Sequence, residues 1–306
     1  MRESGDRSLA LILVAGATGL VGGEVCRRLA SKGRECRALV RETSDAGKKK
    51  ALKESGATLV TGDLKDPDSL VAACRGVTAI ISTASATISR QPSDSIEAVD
   101  LDGQLKLVAA AEANGVERFV FVSYRYDHDK LYPLSNAKQA VERAIQDLNY
   151  TILRTSYFME IWLSPLLGFD YPNAKARLLG AGDKKVSWVS FVDVAEFCAA
   201  SLDSPVAQRA TIEVGGPEAL SPMEVVRIFE QESGRTFAVE HVPIEALRAQ
   251  VSAASNSLEK SMASLMLQAA QGDAMDMRPV LAKFPIQLTS VRDYARRVLG
   301  ARVAAG

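Results

Sequence analysis

The stretch Val14-Ala-Gly16-Ala-Thr-Gly19-Leu-Val-Gly22 constrains this chain more than any other. It follows an apolar run from Leu9 to Ala15 that reads as a strand. It opens a helical pattern from Leu20 to Ser31 that should close near Gly33. Between a strand and a helix, Gly16 permits a tight turn, Gly19 lets the backbone approach a pyrophosphate, and Gly22 lets the helix lie close to the strand. The helix start then offers unpaired N–H groups and a positive dipole end to phosphates. Gly16, Ala17, Thr18, Gly19, Leu20, Val21 and Gly22 are therefore expected to contact a dinucleotide. The alternative is a tight turn of small residues with no ligand. No lysine follows the glycines in the manner of a P-loop, which disfavours a nucleoside triphosphate.

Further strands are expected at Glu35 to Arg41, Ala57 to Thr61, Val77 to Thr83, Arg118 to Ser123 and Tyr150 to Thr155. Helical patterns fill the gaps. Asp66 is a natural N-cap with Pro67 behind it, and Leu101, Leu105 and Val108 share a face of a helix that should stop at Asn114-Gly115. Alternation of this kind implies an α/β, Rossmann-type, doubly wound parallel sheet. After about residue 155 the rhythm loosens, and Pro165, Gly168, Pro172 and Gly180 to Gly182 punctuate an irregular region. Capping signals at Asp193/Glu196 and Ser221-Pro222/Glu224 predict helices over about 194 to 203 and 222 to 233. A long helical pattern from Ile244 to Gln271 and a last one from Thr289 to Leu299 complete a smaller, mostly helical part. The expected division is a nucleotide-binding domain over 8–156 and a substrate or partner domain over 157–306, with the stretch around 186–215 able to interleave with the sheet.

The 306 residues hold 37 Lys+Arg against 37 Asp+Glu, so no bulk attraction to nucleic acid or an anionic membrane is expected. The four cysteines, Cys26, Cys36, Cys74 and Cys198, form no CxxC or finger spacing, and reduced thiols in the cytoplasm are the simplest reading. Arg2 and Arg7 before an apolar stretch imitate a secretory signal, but Glu3 and Asp6 cancel their charge and the stretch runs into the glycine turn. No run approaches the ~18 apolar residues of a membrane span. With only His128 and His241, a histidine metal cluster is not expected, and Asp127-His128-Asp129 reads as polar loop.

The end of the second strand selects the dinucleotide. About 25 residues after Gly16 stands Arg41, where an NAD site more often presents an acid to the ribose hydroxyls. A guanidinium pairs well with a 2′-phosphate, which puts NADP(H) ahead of NAD(H). A surface arginine is the plain alternative, and Glu42 would serve a ribose if the strand ran one residue longer. Lys48-Lys49-Lys50 reads as a solvated helix surface within sequence reach of the same phosphate.

Together with Gly16-Ala-Thr-Gly19-Leu-Val-Gly22, the segments Leu39-Val-Arg41, Gly62-Asp63-Leu64, Phe119-Val-Phe-Val-Ser123, Lys138-Gln-Ala-Val-Glu142 and Tyr150-Thr-Ile-Leu-Arg154 cover about half the chain. In this order they resemble the atypical short-chain dehydrogenase/reductase group, in particular its NmrA-like members. That group includes NADPH-dependent quinone or azo reductases and nicotinamide-nucleotide-sensing regulators. The resemblance implies that Asp63 and Leu64 flank the adenine, that Thr83 and Ala84 lie along the cofactor, that Ser123 sits near the nicotinamide ribose, and that Tyr157 or Phe158 lies near the nicotinamide. Asp63 also reads as a turn residue, Ser123 as a strand-end cap, and Phe158 with Trp162 as packing aromatics.

Standard members of that superfamily donate a proton from the tyrosine of a Tyr-x-x-x-Lys helix. Lys138 fits the lysine, but Leu134 stands four residues earlier. Tyr132 and Tyr124 lack the one-turn spacing; Lys138 is the chief catalytic candidate, bonding the nicotinamide ribose or polarising a substrate oxygen, and Tyr124, the second choice for a proton donor, also reads as a half-buried loop aromatic. The departure disfavours alcohol dehydrogenation and sugar-nucleotide epimerisation. It leaves hydride transfer to a small electron-poor acceptor, a quinone or an enone, and a non-catalytic NAD(P) sensor with a protein partner. Lys138 has a plain alternative in an exposed ion pair with Glu142. A monomer or homodimer is expected, without metal, nucleic acid or membrane.

Overall fold

The computed structural model describes residues 11–89, 91–128 and 131–300. The sequence readings on Arg2, Glu3, Asp6, Arg7, Leu9 and Asp129 lie outside them. The chain forms two compact units, one of residues 1–154 and 195–212, the other of 155–194 and 213–306.

The first unit is built on the strands β1 (Ile12–Ala15), β2 (Cys36–Val40), β3 (Thr58–Thr61), β4 (Ala79–Ser82), β5 (Arg118–Tyr124) and β6 (Asn149–Thr155). Its helices are α1 (Leu20–Ser31), α2 (Ala46–Glu54), α3 (Pro67–Cys74), α4 (Asp102–Ala113) and α5 (Pro133–Ala144). With β7 (Phe169–Asp170) and β8 (Lys175–Leu179) assigned to a second sheet, β9 (Ala210–Val214) completes the order β3-β2-β1-β4-β5-β6-β9. This is the Rossmann-type α/β sheet expected from the alternating pattern. The pairs β2/β3, β1/β2, β1/β4 and β4/β5 are parallel, so the residues following β1 to β5 share one edge. The order reverses at β1, and in open α/β sheets ligands bind outside the carboxyl ends at such a point. β1 and β4 are buried throughout, as strands covered on both faces must be.

Local chemistry sets the boundaries. Asp66 accepts from Asp68 N and Ser69 N with Pro67 opening α3, and α4 ends at Ala113 before Gly115, whose φ is +66°. A π-helical turn over Ile96–Leu101 precedes α4. It shifts the buried face to Gln104, Leu107, Val108 and Ala111, so Leu101 and Leu105, expected inward, are half-buried.

The second unit is less helical than the sequence suggested. Its strand β10 (Ala238–Val242) joins β8 and β7 in a three-stranded sheet, β10-β8-β7. The strands β7 and β8 lie in the region read as irregular because two and five residues carry little periodicity. The short helix α6 (Met159–Trp162) follows β6 in the chain, and α7 (Phe191–Ser201) has residues 191–194 in the second unit and 195–201 in the first. The remaining helices are α8 (Pro222–Ser233), α9 (Ile244–Ala253), α10 (Ser257–Ala269), α11 (Arg278–Leu281) and α12 (Val291–Gly300). Ser221 and Glu224 form the expected capping box on α8. The long pattern from Ile244 is instead two helices, because Asn256 caps a new start by accepting from Glu259 N. Asp193 is not the cap expected of it. It lies inside the first turn of α7 and its carboxylate accepts from Thr289 N and Oγ1 at 2.7 and 2.8 Å. Phe169, Phe229, Phe237 and Tyr294 make the aromatic core, with Phe169 edge-on to Phe229 at 4.9 Å between centroids.

Among the described residues no helix is long and apolar enough to cross a membrane.

Candidate functional site: the carboxyl edge of the parallel sheet

The glycine turn leaves β1 at the point where the strand order reverses. Gly16 has φ +81°, and a Cβ there would stand 2.7 Å from Ala84 N and from Thr83 Oγ1. A Cβ on Gly22 would stand 2.2 Å from Gly16 O, so α1 packs against the turn only without a side chain. A Cβ on Gly19 would meet Gly16 O alone, at 3.1 Å. Gly19 and Leu20 are exposed, and among the described residues no side chain caps α1. The first-turn amides of α1 are thus presented at an open lip, as a pyrophosphate requires. The residues present fit a dinucleotide. Lys48 on α2 reaches this lip, donating from Nζ to Thr18 O at 3.0 Å, whereas Lys49 goes to Glu42 O and Lys50 to Glu54.

Arg41 follows β2 and is partly exposed. Its Nη1 donates to both oxygens of Asp94, at 2.7 and 3.0 Å, and Lys65 Nζ donates to the same carboxylate at 2.8 Å. Ser89 adds a fourth hydrogen bond. Burial pushes the Asp94 carboxyl up, but the bonds from Lys65, Ser89 and Arg41 and the guanidinium charge outweigh it, holding the group down at about 2. Asp63 and Leu64 follow β3. Asp63 Oδ1 accepts from Lys65 N at 2.9 Å, the turn role anticipated for it, while its side chain stays one-third exposed. Leu64 is buried, and a Cβ on Gly103 would touch its Cβ at 2.8 Å. Thr83 and Ala84 follow β4. Thr83 Oγ1 turns back to Ala15 O at 3.1 Å, and Ala84 O accepts from the buried Gln104 at 2.9 Å.

Ser123 lies near the end of β5, where its Oγ donates to Glu142 Oε1 at 2.7 Å. Glu142 also accepts from Tyr126 at 3.1 Å and pairs with Arg154 at 2.6 Å. Burial, then the Glu142 charge, pushes the Tyr126 phenol up to about 12. The exposed Lys138–Glu142 pair weighed from sequence is overturned. Lys138 is buried, 3.1 Å from the Asp100 carboxylate and 5.0 Å from the centre of the Phe121 ring. Asp100 is fully buried on the π-helical turn, and its Oδ2 accepts from Ala86 N at 2.8 Å. A mid-helix charge is tolerable there because the pair is buried as a unit. Leu134, one turn before Lys138, is buried too. Tyr124 ends β5 in an aromatic group with Tyr126 and Tyr132, at 5.6 and 6.3 Å between centroids. Burial drives the Tyr132 phenol well above the usual range, against a hydrogen bond with Tyr124.

Tyr157 and Phe158 belong to the second unit. Tyr157 is buried and meets Trp162 edge-on at 4.7 Å, so Tyr157 rather than Phe158 is the packing partner of that tryptophan. Phe158 pairs with Val189 in an isolated bridge and precedes α6. Among the described residues no group of three metal-ligating side chains occurs.

The sequence model of the NmrA-like family matches residues 9–294. The chain belongs to the NmrA-like family. This NmrA-like protein is 32% identical over 246 residues to a photosystem II assembly factor, Ycf39, of Trieres chinensis, covering 78% of this chain and 73% of that one. It is 33% identical over 257 residues to an isoflavone reductase homolog of Zea mays, covering 78% and 80%. Its fold matches an Escherichia coli NADPH-dependent quinone oxidoreductase complexed with NADPH, at a TM-score of 0.75 and 20% identity over 94% of this chain and 99% of that one.

Sequence reasoning missed Asp94 and Asp100 at this edge, and placed Lys48 near the phosphate only as one of a run of three lysines. Asp94 sits in a loop of mixed serines with no periodicity. Asp100 reads as an ordinary helix-start acid. Lys48 is indistinguishable in sequence from its two neighbours. Only Asp100 leaves a signal, an acid within an otherwise apolar Ala-Val-x-Leu run.

Proposed function

We propose that this NmrA-like protein is an NADPH-dependent oxidoreductase that reduces a small electron-poor acceptor, a quinone or an enone. The observation that carries the reading is the uncapped first turn of α1 at the sheet's switch point, with Lys48 at its lip and Arg41 following the neighbouring strand β2. NADPH bound there supplies the hydride. Gly16, Ala17, Thr18, Gly19, Leu20, Val21 and Gly22 receive the pyrophosphate, Arg41 and Lys48 attract the 2′-phosphate side, and Asp63, Leu64, Thr83 and Ala84 line the path of the coenzyme. Lys138, its charge balanced by Asp100, orients the nicotinamide ribose. Leu134 supplies no phenol to protonate a product, which suits an acceptor whose reduced anion is already stabilised. Four buried, free thiols support a cytoplasmic setting.

The test is NADPH oxidation against a panel of quinones and small enones, with Lys138→Ala alongside. Turnover with at least one acceptor, lowered about a hundredfold by the substitution, is expected. Turnover indifferent to it removes Lys138 from the chemistry. The buried Leu134 in the tyrosine position also favours a second reading, a coenzyme-binding sensor without turnover, in keeping with the relative named as an assembly factor. That reading predicts coenzyme binding, no oxidation by any acceptor, and a protein partner whose affinity changes with the coenzyme.

A further inference from the structure

The cation that singles out NADP(H) in the sequence does not stand free. The Asp94 side chain is 3% exposed and bridges two positive groups, Arg41 from the end of β2 and Lys65 from the turn after β3. Both Asp94 oxygens accept from Arg41 Nη1, Oδ1 also accepts from Lys65, and Oδ2 takes the Ser89 hydroxyl. Lys65 Nζ further reaches Ser93 Oγ at 2.8 Å and lies 3.8 Å from Asp63. Two cations thus face two carboxylates, and the cluster is charge-balanced before any phosphate arrives.

A phosphate monoester brings a charge of about −1.5 to −2 and wants the same charge-assisted, forked hydrogen bonds that a carboxylate takes. It cannot share Arg41 with Asp94 at close range without like-charge repulsion. A ribose 2′-hydroxyl is neutral. It can donate to a carboxylate, which is how acids at the end of the second strand of Rossmann sites favour NAD. From this geometry we infer that Asp94 is a specificity-determining residue: its carboxylate competes with a 2′-phosphate for Arg41 and Lys65 and holds the preference for NADP(H) over NAD(H) below what Arg41 alone would give. The inference rests on the coenzyme reading above.

The test is isothermal titration of the intact protein with NADP+ and NAD+ separately, for wild type, Asp94→Asn, Asp94→Glu and Asp94→Asn combined with Arg41→Ala. Neutralising the carboxylate should tighten NADP+ by about tenfold or more relative to NAD+. Asp94→Glu, which keeps the charge, should keep the wild-type ratio, and Arg41→Ala should abolish the gain. A merely structural role for Asp94 would move both coenzymes together. An Asp94→Asn ratio that is unchanged, or that shifts towards NAD+ because Asp94 was positioning Arg41 for the phosphate, overturns the inference while leaving coenzyme binding intact. Should Asp94→Asn prove unstable, the Asp94→Ser ratio is read in its place with the same expectation. If wild type and variants bind neither coenzyme, the coenzyme reading fails, and the inference with it.

Discussion

Two arginines stand at opposite ends of the same sheet and are held in opposite ways. Arg118 opens β5 at the amino edge. It is buried and donates to Asn149 O and Oδ1, Tyr150 O, Thr151 Oγ1, Ser201 O and Ala207 O, all neutral oxygens. Burial depresses its pKa against the opposing charge of Asp203, but the guanidinium is tied at several points into the starts of β5 and β6 and the end of α7. Arg41 follows β2 at the carboxyl edge, is partly exposed, and is held by one carboxylate. The first arrangement ties a cation through its terminal nitrogens to fixed neutral oxygens and fastens the fold. The second leaves the cation in a partnership that an anion can contest. The carboxyl edge also carries the Lys138–Asp100 pair, which is buried like Arg118 yet ionic like Arg41.

The sharpest way to break this contrast is Arg118→Met. It strands buried carbonyls and should cost about 3 kcal/mol or more, read as a fall in the urea midpoint, with coenzyme affinity of the native protein within twofold of wild type. A stability loss below about 1 kcal/mol would remove Arg118 from the structural role. Next is the ionic pair. Lys138→Met leaves Asp100 buried without its counter-charge and should also cost about 3 kcal/mol, of which Asp100→Asn in the same chain should restore most. No restoration would mean that the lysine acts through packing on Phe121.

Asp94 gives a smaller effect. Its folded pKa of about 2 lies below the ordinary 3.8, so its contribution is fully present above about pH 4 and is lost as pH falls towards 2. The contribution is at most about 2 kcal/mol, and Asp94→Asn should flatten the acid limb of the stability profile over that window. Identical limbs in wild type and variant would refute the pairing. Smallest of all, Arg41→Met should change the unfolding free energy by about 1 kcal/mol or less, as for partly exposed ion pairs, while weakening NADP+ far more than NAD+. A loss as large as that of Arg118→Met would erase the distinction between the two ends.

The sheet was legible in the sequence because its signals are local and agree. β-branched runs, glycine turns and a Pro67-Asp66 cap all demand the same alternation, and the six leading strands fall within a few residues of their expected places. The small sheet was not legible, since Phe169–Asp170 is too short for periodicity and its partner Ala238–Val242 lies far along the chain. Asp193 was misread because a cap signal depends only on neighbours, whereas its actual hydrogen bonds run to Thr289. At the candidate site the glycines and Arg41 announced themselves through spacing. The partners Asp94 and Asp100 did not, because what defines them is a contact across 53 and 38 positions of chain to Arg41 and Lys138.

The most direct test of the whole account is calorimetric titration of the folded wild-type chain with NADPH, NADP+, NADH and NAD+. A saturable heat at one site per chain with at least one of these, abolished or greatly weakened when Gly19→Ala places a methyl group at the lip of α1, is the expected result. Absence of heat with all four would contradict it.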